Sequence, residues 1–197
     1  MAIFTDKLDP GRTQDQRSPD EIRKWMVGKV NAFNNINVNS ILRSHPEYLK
    51  NTVRPGFMYL YGYVPKYQAT LKYYDRFPLV FPFKSVEGGF LGLNMHYLPP
   101  ILRARLMDAL YDVTNNKKYD ETTRLVMNYN ILNGAAKFKY FEPCVHRYLN
   151  EKMVTRALQI PANEWDYALF LPLERFETNG KRINKNIVFQ ESRKSVS

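Results

Sequence analysis

Residues 57–98 read FMYLYGYVPKYQATLKYYDRFPLVFPFKSVEGGFLGLNMHYL. Aromatic and β-branched residues alternate there between Gly and Pro punctuation, the pattern of short strands separated by tight turns. Phe57, Tyr59, Tyr61 and Tyr63 fall on one face of the first strand and Met58, Leu60, Gly62 and Val64 on the other. Both faces are apolar or aromatic, so both are expected to be covered. A turn over 64–68 leads to a second strand, Ala69–Tyr74. Asp75-Arg76 turns the chain into a third, Pro78–Phe83, where Pro78 and Pro82 argue for a sheet edge or a bulge. Glu87-Gly88-Gly89 then leads into Phe90–Leu93. This succession resembles an SH3-like barrel, an analogy at the level of fold alone.

Outward from this window the pattern becomes helical. Ser18-Pro19-Asp20-Glu21 has the form of a capping box with Pro at the first helical position, and Ile22, Trp25, Met26, Val30 and Phe33 follow at helical spacing. A shorter helix is expected from Val38 to Arg43. Pro99-Pro100 stops the sheet and starts a helix whose apolar face includes Leu102, Leu106 and Leu110. Glu121 or Thr122 opens and Gly134 closes a stretch that is apolar in both registers. A helix is expected over Pro143–Asn150, an extended piece over Val154–Ile160, and a helix from Pro161 with Trp165, Ala168 and Leu169 facing inward. The organisation is therefore an extended arm (1–17), an N-terminal helical segment (18–55), a small β-barrel (56–98), a helical C-terminal part (99–176) and a basic tail (177–197). The fold class is α+β, with the barrel flanked by helices on both sides.

The chain has 197 residues, 29 Lys and Arg against 19 Asp and Glu, and a net charge of +10. That balance favours polyanionic partners: nucleic acid, an anionic membrane surface or an acidic protein face. Its single cysteine, Cys144, rules out an internal disulfide framework and fits folding in a reducing cytoplasm. No apolar run is long enough to span a membrane. From Arg175 to the end there are six cations and two acids, which reads as a tail that orders on a partner.

No motif points to catalysis or to a cofactor. Glu87-Gly88-Gly89-Phe90-Leu91-Gly92 lacks the Lys and Ser of a phosphate-binding loop and does not lead into a helix. His45, His96 and His146 are too dispersed for a zinc site, and Cys144-Val145-His146 has the wrong spacing. His96, at a strand end, reads as a hydrogen-bonded core histidine. Cys144 and His146 would face different ways on a helix. The chain is expected to be a non-enzyme without cofactor or metal.

The binding readings have more material. Tyr59, Tyr61, Tyr63, Lys66, Lys72, Tyr74 and Arg76 interleave rings and cations, as in small barrels that stack bases and track phosphates. The same tyrosines also suit barrel walls or a protein interface. Arg54, Arg103 and Arg105, and Lys181 and Arg182 in the tail, complete the candidate partner contacts. Ile3, Phe4 and Leu8 give the arm an apolar side that suits docking on a neighbour.

The run Tyr73-Tyr74-Asp75-Arg76-Phe77-Pro78-Leu79-Val80, followed by Gly89-Phe90-Leu91-Gly92-Leu93-Asn94-Met95-His96-Tyr97-Leu98, resembles a virion protein family of large contractile-tailed, T4-like bacteriophages. Trp165-Asp166 and Phe170-Leu171-Pro172-Leu173-Glu174-Arg175-Phe176 are similar to the closing part of that family. The likeness runs from about Gly56 to Arg193 and leaves the first 55 residues outside. It implies a structural component of the virion, made in the host cytoplasm and placed in the tail or baseplate among multiple copies of other virion proteins. The alternative it implies is a DNA-binding protein associated with the packaged DNA or its end. It supplies no catalytic residues.

Overall fold

Strand register decides the architecture. In the computed structural model the 57–98 window contributes β2 (Met58–Leu60), β4 (Leu79–Val86) and β5 (Gly89–Asn94) to a six-stranded antiparallel sheet. The other members are β1 (Leu49–Lys50), β6 (Val145–Leu149) and β7 (Ala157–Ile160), in the order β1-β7-β2-β4-β5-β6. The structure describes residues 3–4, 36–100, 102–103, 106, 110, 113, 118, 120–194 and 196. The remainder of the expected arm, the expected helix over 18–35, and Arg105 lie outside the described residues.

The fold is mixed α+β, as the sequence predicts, but the described strands form an open sheet and not a closed SH3-like barrel. Three strands from one window are too few to curl shut. A fourth, β3 (Tyr74–Asp75), leaves to pair with β8 (Phe176–Thr178), which pairs in turn with β9 (Lys181–Arg182) in a second sheet. The expected strand over 69–74 is otherwise a series of turns and bends. β4 is a central strand, and its two prolines are tolerated for local reasons. Pro78 precedes it. Pro82 lies past the last β2 pairing, Tyr59 with Val80, and next to a bulge between Pro82 and Lys84. A two-residue Glu87-Gly88 turn, with Gly88 at φ 70°, joins β4 to β5. A Cβ at Gly89 would collide with the Tyr148 backbone, and one at Gly92 with Val80, so β5 can lie between its neighbours only with glycine there.

Both faces of the sheet are covered. Met58, Leu60, Phe81 and Leu93 face the main core, which also takes in α1 (Val38–Ser44), part of α2 (Glu121–Ala135) and α3 (Trp165–Phe170). Tyr59, Tyr61, Tyr63, Val80, Phe90 and Tyr148 form a smaller cluster on the opposite face. Helix α1 begins where Asn37 caps Ser40 N–H, and α2 where Asp120 accepts from the Thr123 N–H and hydroxyl. All six residues of α3 are buried. Ile3 and Phe4 are buried in this same chain, and their N–H groups donate to the buried Glu164 carboxylate at 2.8–3.0 Å.

Two further expectations are corrected. The expected helix over 143–150 is a 3₁₀ segment, Lys139–Cys144, followed by β6, whose pairing with β5 supplies the hydrogen bonds a helix would have made. The segment expected to be a tail is folded. Asn179 and Gly180, at φ 47° and 74°, form the turn between β8 and β9. Helix α4 (Lys185–Lys194) then buries Val188, Phe189 and Ser192.

Candidate nucleic-acid interface

The C-terminal part is held by a buried polar network, and the residues of the family-like motifs build it. Asp75 Oδ2 accepts from Asn94 and lies 2.7 Å from His96 Nδ1, while Oδ1 accepts from the N–H groups of Phe77 and Arg175. Arg103 donates to the carbonyls of Leu98 and Leu169. Its guanidinium lies 3.6 Å from Glu174 Oε2, an electrostatic contact beyond hydrogen-bonding range. Lys185, at the start of α4, donates to Glu174 Oε1 at 2.6 Å. Burial alone would raise Glu174, but Arg103, His96 and Lys185 outweigh it and hold the carboxyl at about 2. The charge therefore stays on, and α4 is tied to the sheet through it.

Helix α4 positions two exposed aromatic and basic loops. Residues 191 and 193 diverge by about 200° around the axis, so their side chains reach opposite flanks. On one flank Glu191 pairs with Lys72 at 2.8 Å, anchoring the loop that carries Lys66 and Tyr67. Tyr67 is 64% exposed, with Lys66 Nζ 5.5 Å from its ring centroid. On the other flank Arg193 donates to the Tyr140 carbonyl at 2.9 Å and stacks over its ring at 4.6 Å. That contact fixes the run Lys137-Phe138-Lys139-Tyr140, where Phe138 is 65% and Tyr140 43% exposed. Lys194 is exposed at the end of the helix. Rings with open faces beside cations can stack bases and neutralise phosphates together.

The candidate contacts read from sequence divide accordingly. Lys66 and Lys72 belong to this surface, and Lys181 and Arg182 are exposed on β9. Tyr59, Tyr61 and Tyr63 are interior, packed with Tyr148 and Phe90. Tyr61 and Tyr63 meet Tyr148 edge-on at 5.7 and 5.0 Å. Tyr74 is buried and donates to Glu177. Arg76 is half-buried and donates to the Tyr63 carbonyl. Arg103 is buried in the network. Sequence reasoning missed Tyr67, Phe138 and Tyr140 because it weighted the strand tyrosines. The available signal was the alternation Lys137-Phe138-Lys139-Tyr140 directly after a helix.

The buried groups offer little chemistry. His96, fully buried, is the hydrogen-bonded core histidine its position suggests, with Asp75 at its Nδ1. Burial pushes the Cys144 thiol up to about 12, so thiolate is scarce at neutral pH. Among the described residues no helix is long and apolar enough to cross a membrane.

The fold and surface thus define a basic α+β protein with rings and cations gathered on loops around its C-terminal helix. The chain belongs to the phage T4 terminal DNA protecting protein family, whose family model matches residues 21–192. It is a bacteriophage protein, and the match extends over the 21–55 segment that the motif likeness leaves out. The family description names the protection of DNA termini and lends no support to a place in the tail or baseplate. No curated protein and no solved structure matches the chain.

Proposed function

We propose that this chain binds the ends of bacteriophage DNA and shields them, as a virion-associated protein made in the host cytoplasm. The observation that carries this reading is the surface around α4, where Tyr67, Phe138 and Tyr140 are open to stacking beside Lys66, Lys72, Lys137, Lys139 and Lys194. DNA ends fray and offer unstacked bases that the interior of a duplex does not. Exposed rings therefore favour ends, while the cations track the adjoining phosphates. No catalytic step is assigned. Exposed Leu71, Val126 and Val154 leave apolar points for virion neighbours.

The test compares linear DNA with a covalently closed circle of the same sequence at 50 and 200 mM salt. Tighter binding to linear DNA is expected, with affinity falling on the order of a hundredfold between the two salts for about four phosphate contacts. An added exonuclease should be slowed in proportion to occupancy. Equal binding to the circle would reject end recognition, and binding indifferent to salt would reject DNA as the partner.

A further inference from the structure

The α4 surface does not use a second concave region on the far side of β2. A cleft of about 510 Å³ lies at the β1-β7-β2 corner, lined in part by Lys50, Asn51, Thr52, Arg54, Phe57 and Gln159. Register explains how these side chains converge. Lys50 pairs with Ala157 and Tyr59 with Gln159. Residues 157 and 159 point to the same face, so Lys50, Gln159 and Tyr59 all stand on the aromatic-cluster side of the sheet.

Arg54-Pro55-Gly56-Phe57 forms the facing wall. Gly56 has φ 85°, the value a type II turn requires at its third position, and Pro at the second position suits the same turn. Such a turn holds its first and last Cα within about 7 Å, so Arg54 and Phe57 stand together at the rim. The Arg54 N–H donates to the Tyr59 hydroxyl at 3.1 Å, fixing that corner to the sheet. Among the described residues the lining has no carboxylate. Lys50 and Arg54 are exposed, and Phe57 is half-buried.

The cleft thus combines two cations with an aromatic wall and the amide and hydroxyl groups of Asn51, Thr52 and Gln159. Paired cations suit a doubly charged phosphomonoester better than the singly charged diester of a continuous strand. The ring and the amides suit a base, through stacking and edge hydrogen bonds. We infer that this cleft binds a nucleotide carrying a terminal phosphomonoester, and that its occupant is the 5′-phosphorylated end of DNA. That occupant, though not the nucleotide chemistry of the cleft, rests on the end-binding reading above.

The full chain should be titrated with a blunt duplex carrying either a 5′-phosphate or a 5′-hydroxyl, and separately with 2′-deoxyadenosine 5′-monophosphate alone. The phosphate is expected to tighten duplex binding about tenfold, the scale of one or two charge-assisted hydrogen bonds. The gain should vanish in a Lys50→Gln/Arg54→Gln variant, whose exposed substitutions leave the core untouched. The mononucleotide should bind the unaltered chain and fail to bind that variant. Mononucleotide binding lost in the variant, without any phosphate effect on the duplex, supports the cleft with a free nucleotide as its occupant. No phosphate effect together with no mononucleotide binding overturns the inference, as does an effect that persists in the variant. Duplex that binds equally with and without phosphate leaves end binding standing. A duplex that fails to bind while the mononucleotide still binds rejects end binding alone.

Discussion

The tyrosines of the sheet and the rings of the loops differ in what their neighbours leave open. Tyr61 is fully buried, with Tyr63, Phe90 and Tyr148 around it, while Phe138 is 65% exposed between two lysines. Both stretches are rich in aromatics in sequence. A strand in the middle of a covered sheet puts every second ring into each core, whatever its polarity. The 3₁₀ segment Lys139–Cys144 buries Cys144 and packs Phe141 against the core, while Tyr140 and the preceding Phe138 stay wet. Aromatic density in the sequence therefore marks stability in one region and, on the reading proposed above, binding in the other.

The sharpest way to break this contrast is to remove one ring from the sheet. Tyr61→Ala is expected to cost about 4 kcal/mol, as large-to-small core changes of this size do, measured by chemical denaturation. Its folded fraction should bind DNA as before. A variant that kept its stability and lost binding would instead put the ring in the interface.

The next effect is acid lability of the C-terminal anchor. Glu174 is held at about 2 against an ordinary 4.5, so the folded state binds its proton less readily than the unfolded state. Its contribution, roughly 3 kcal/mol, is fully present above about pH 4.5 and is lost as pH falls towards 2. Glu174→Gln should flatten that limb of the stability profile. An unchanged limb would show that other carboxylates set it.

Smaller again is the effect of the loop rings. Phe138→Ala or Tyr67→Ala is expected to leave stability within about 0.5 kcal/mol and to weaken binding to end-bearing DNA by about 1–3 kcal/mol for each base stacked. Denaturation and anisotropy on the same samples read both quantities. Smallest is Tyr61→Phe. The Tyr61 hydroxyl is buried with no hydrogen-bond partner among the described residues. Removing it should stabilise the fold by about 1 kcal/mol, since an unsatisfied buried polar group carries a desolvation penalty. A loss of stability would reveal a hidden partner, such as a buried water.

Much of the fold was legible where the signal is local. The period-two pattern around Tyr59, the helix from Val38, the helix opening at Glu121 and the start of α3 near Pro161 all rest on signals within a few residues. The failures involve distant partners. Val145–Leu149 has a strand's pattern only once β5 lies beside it, and Pro143 before it mimicked a helix start. The barrel analogy failed because half of the main sheet comes from residues outside 57–98. The C-terminal hairpin was a local signal overlooked: Asn179-Gly180 is a strong turn pair, masked by the surrounding charge. Of the candidate site, Lys66, Lys72, Lys181 and Arg182 are exposed. Arg103 could not be recognised as interior, because its acceptors Leu98 and Leu169 and the carboxylate of Glu174 converge only in the folded chain.

The contact between Ile3 and Glu164 spans 161 positions, and β1 waits for β7 just as β3 waits for β8. So high a contact order makes folding slow and late. During synthesis, β2, β4 and β5 emerge long before β7 can cover the β2 edge, and they remain exposed to pairing with other nascent chains. The second sheet and the Lys72 and Tyr140 loops gain their anchors only once β8 and α4 have been made, since Glu191 and Arg193 of that helix hold the two loops.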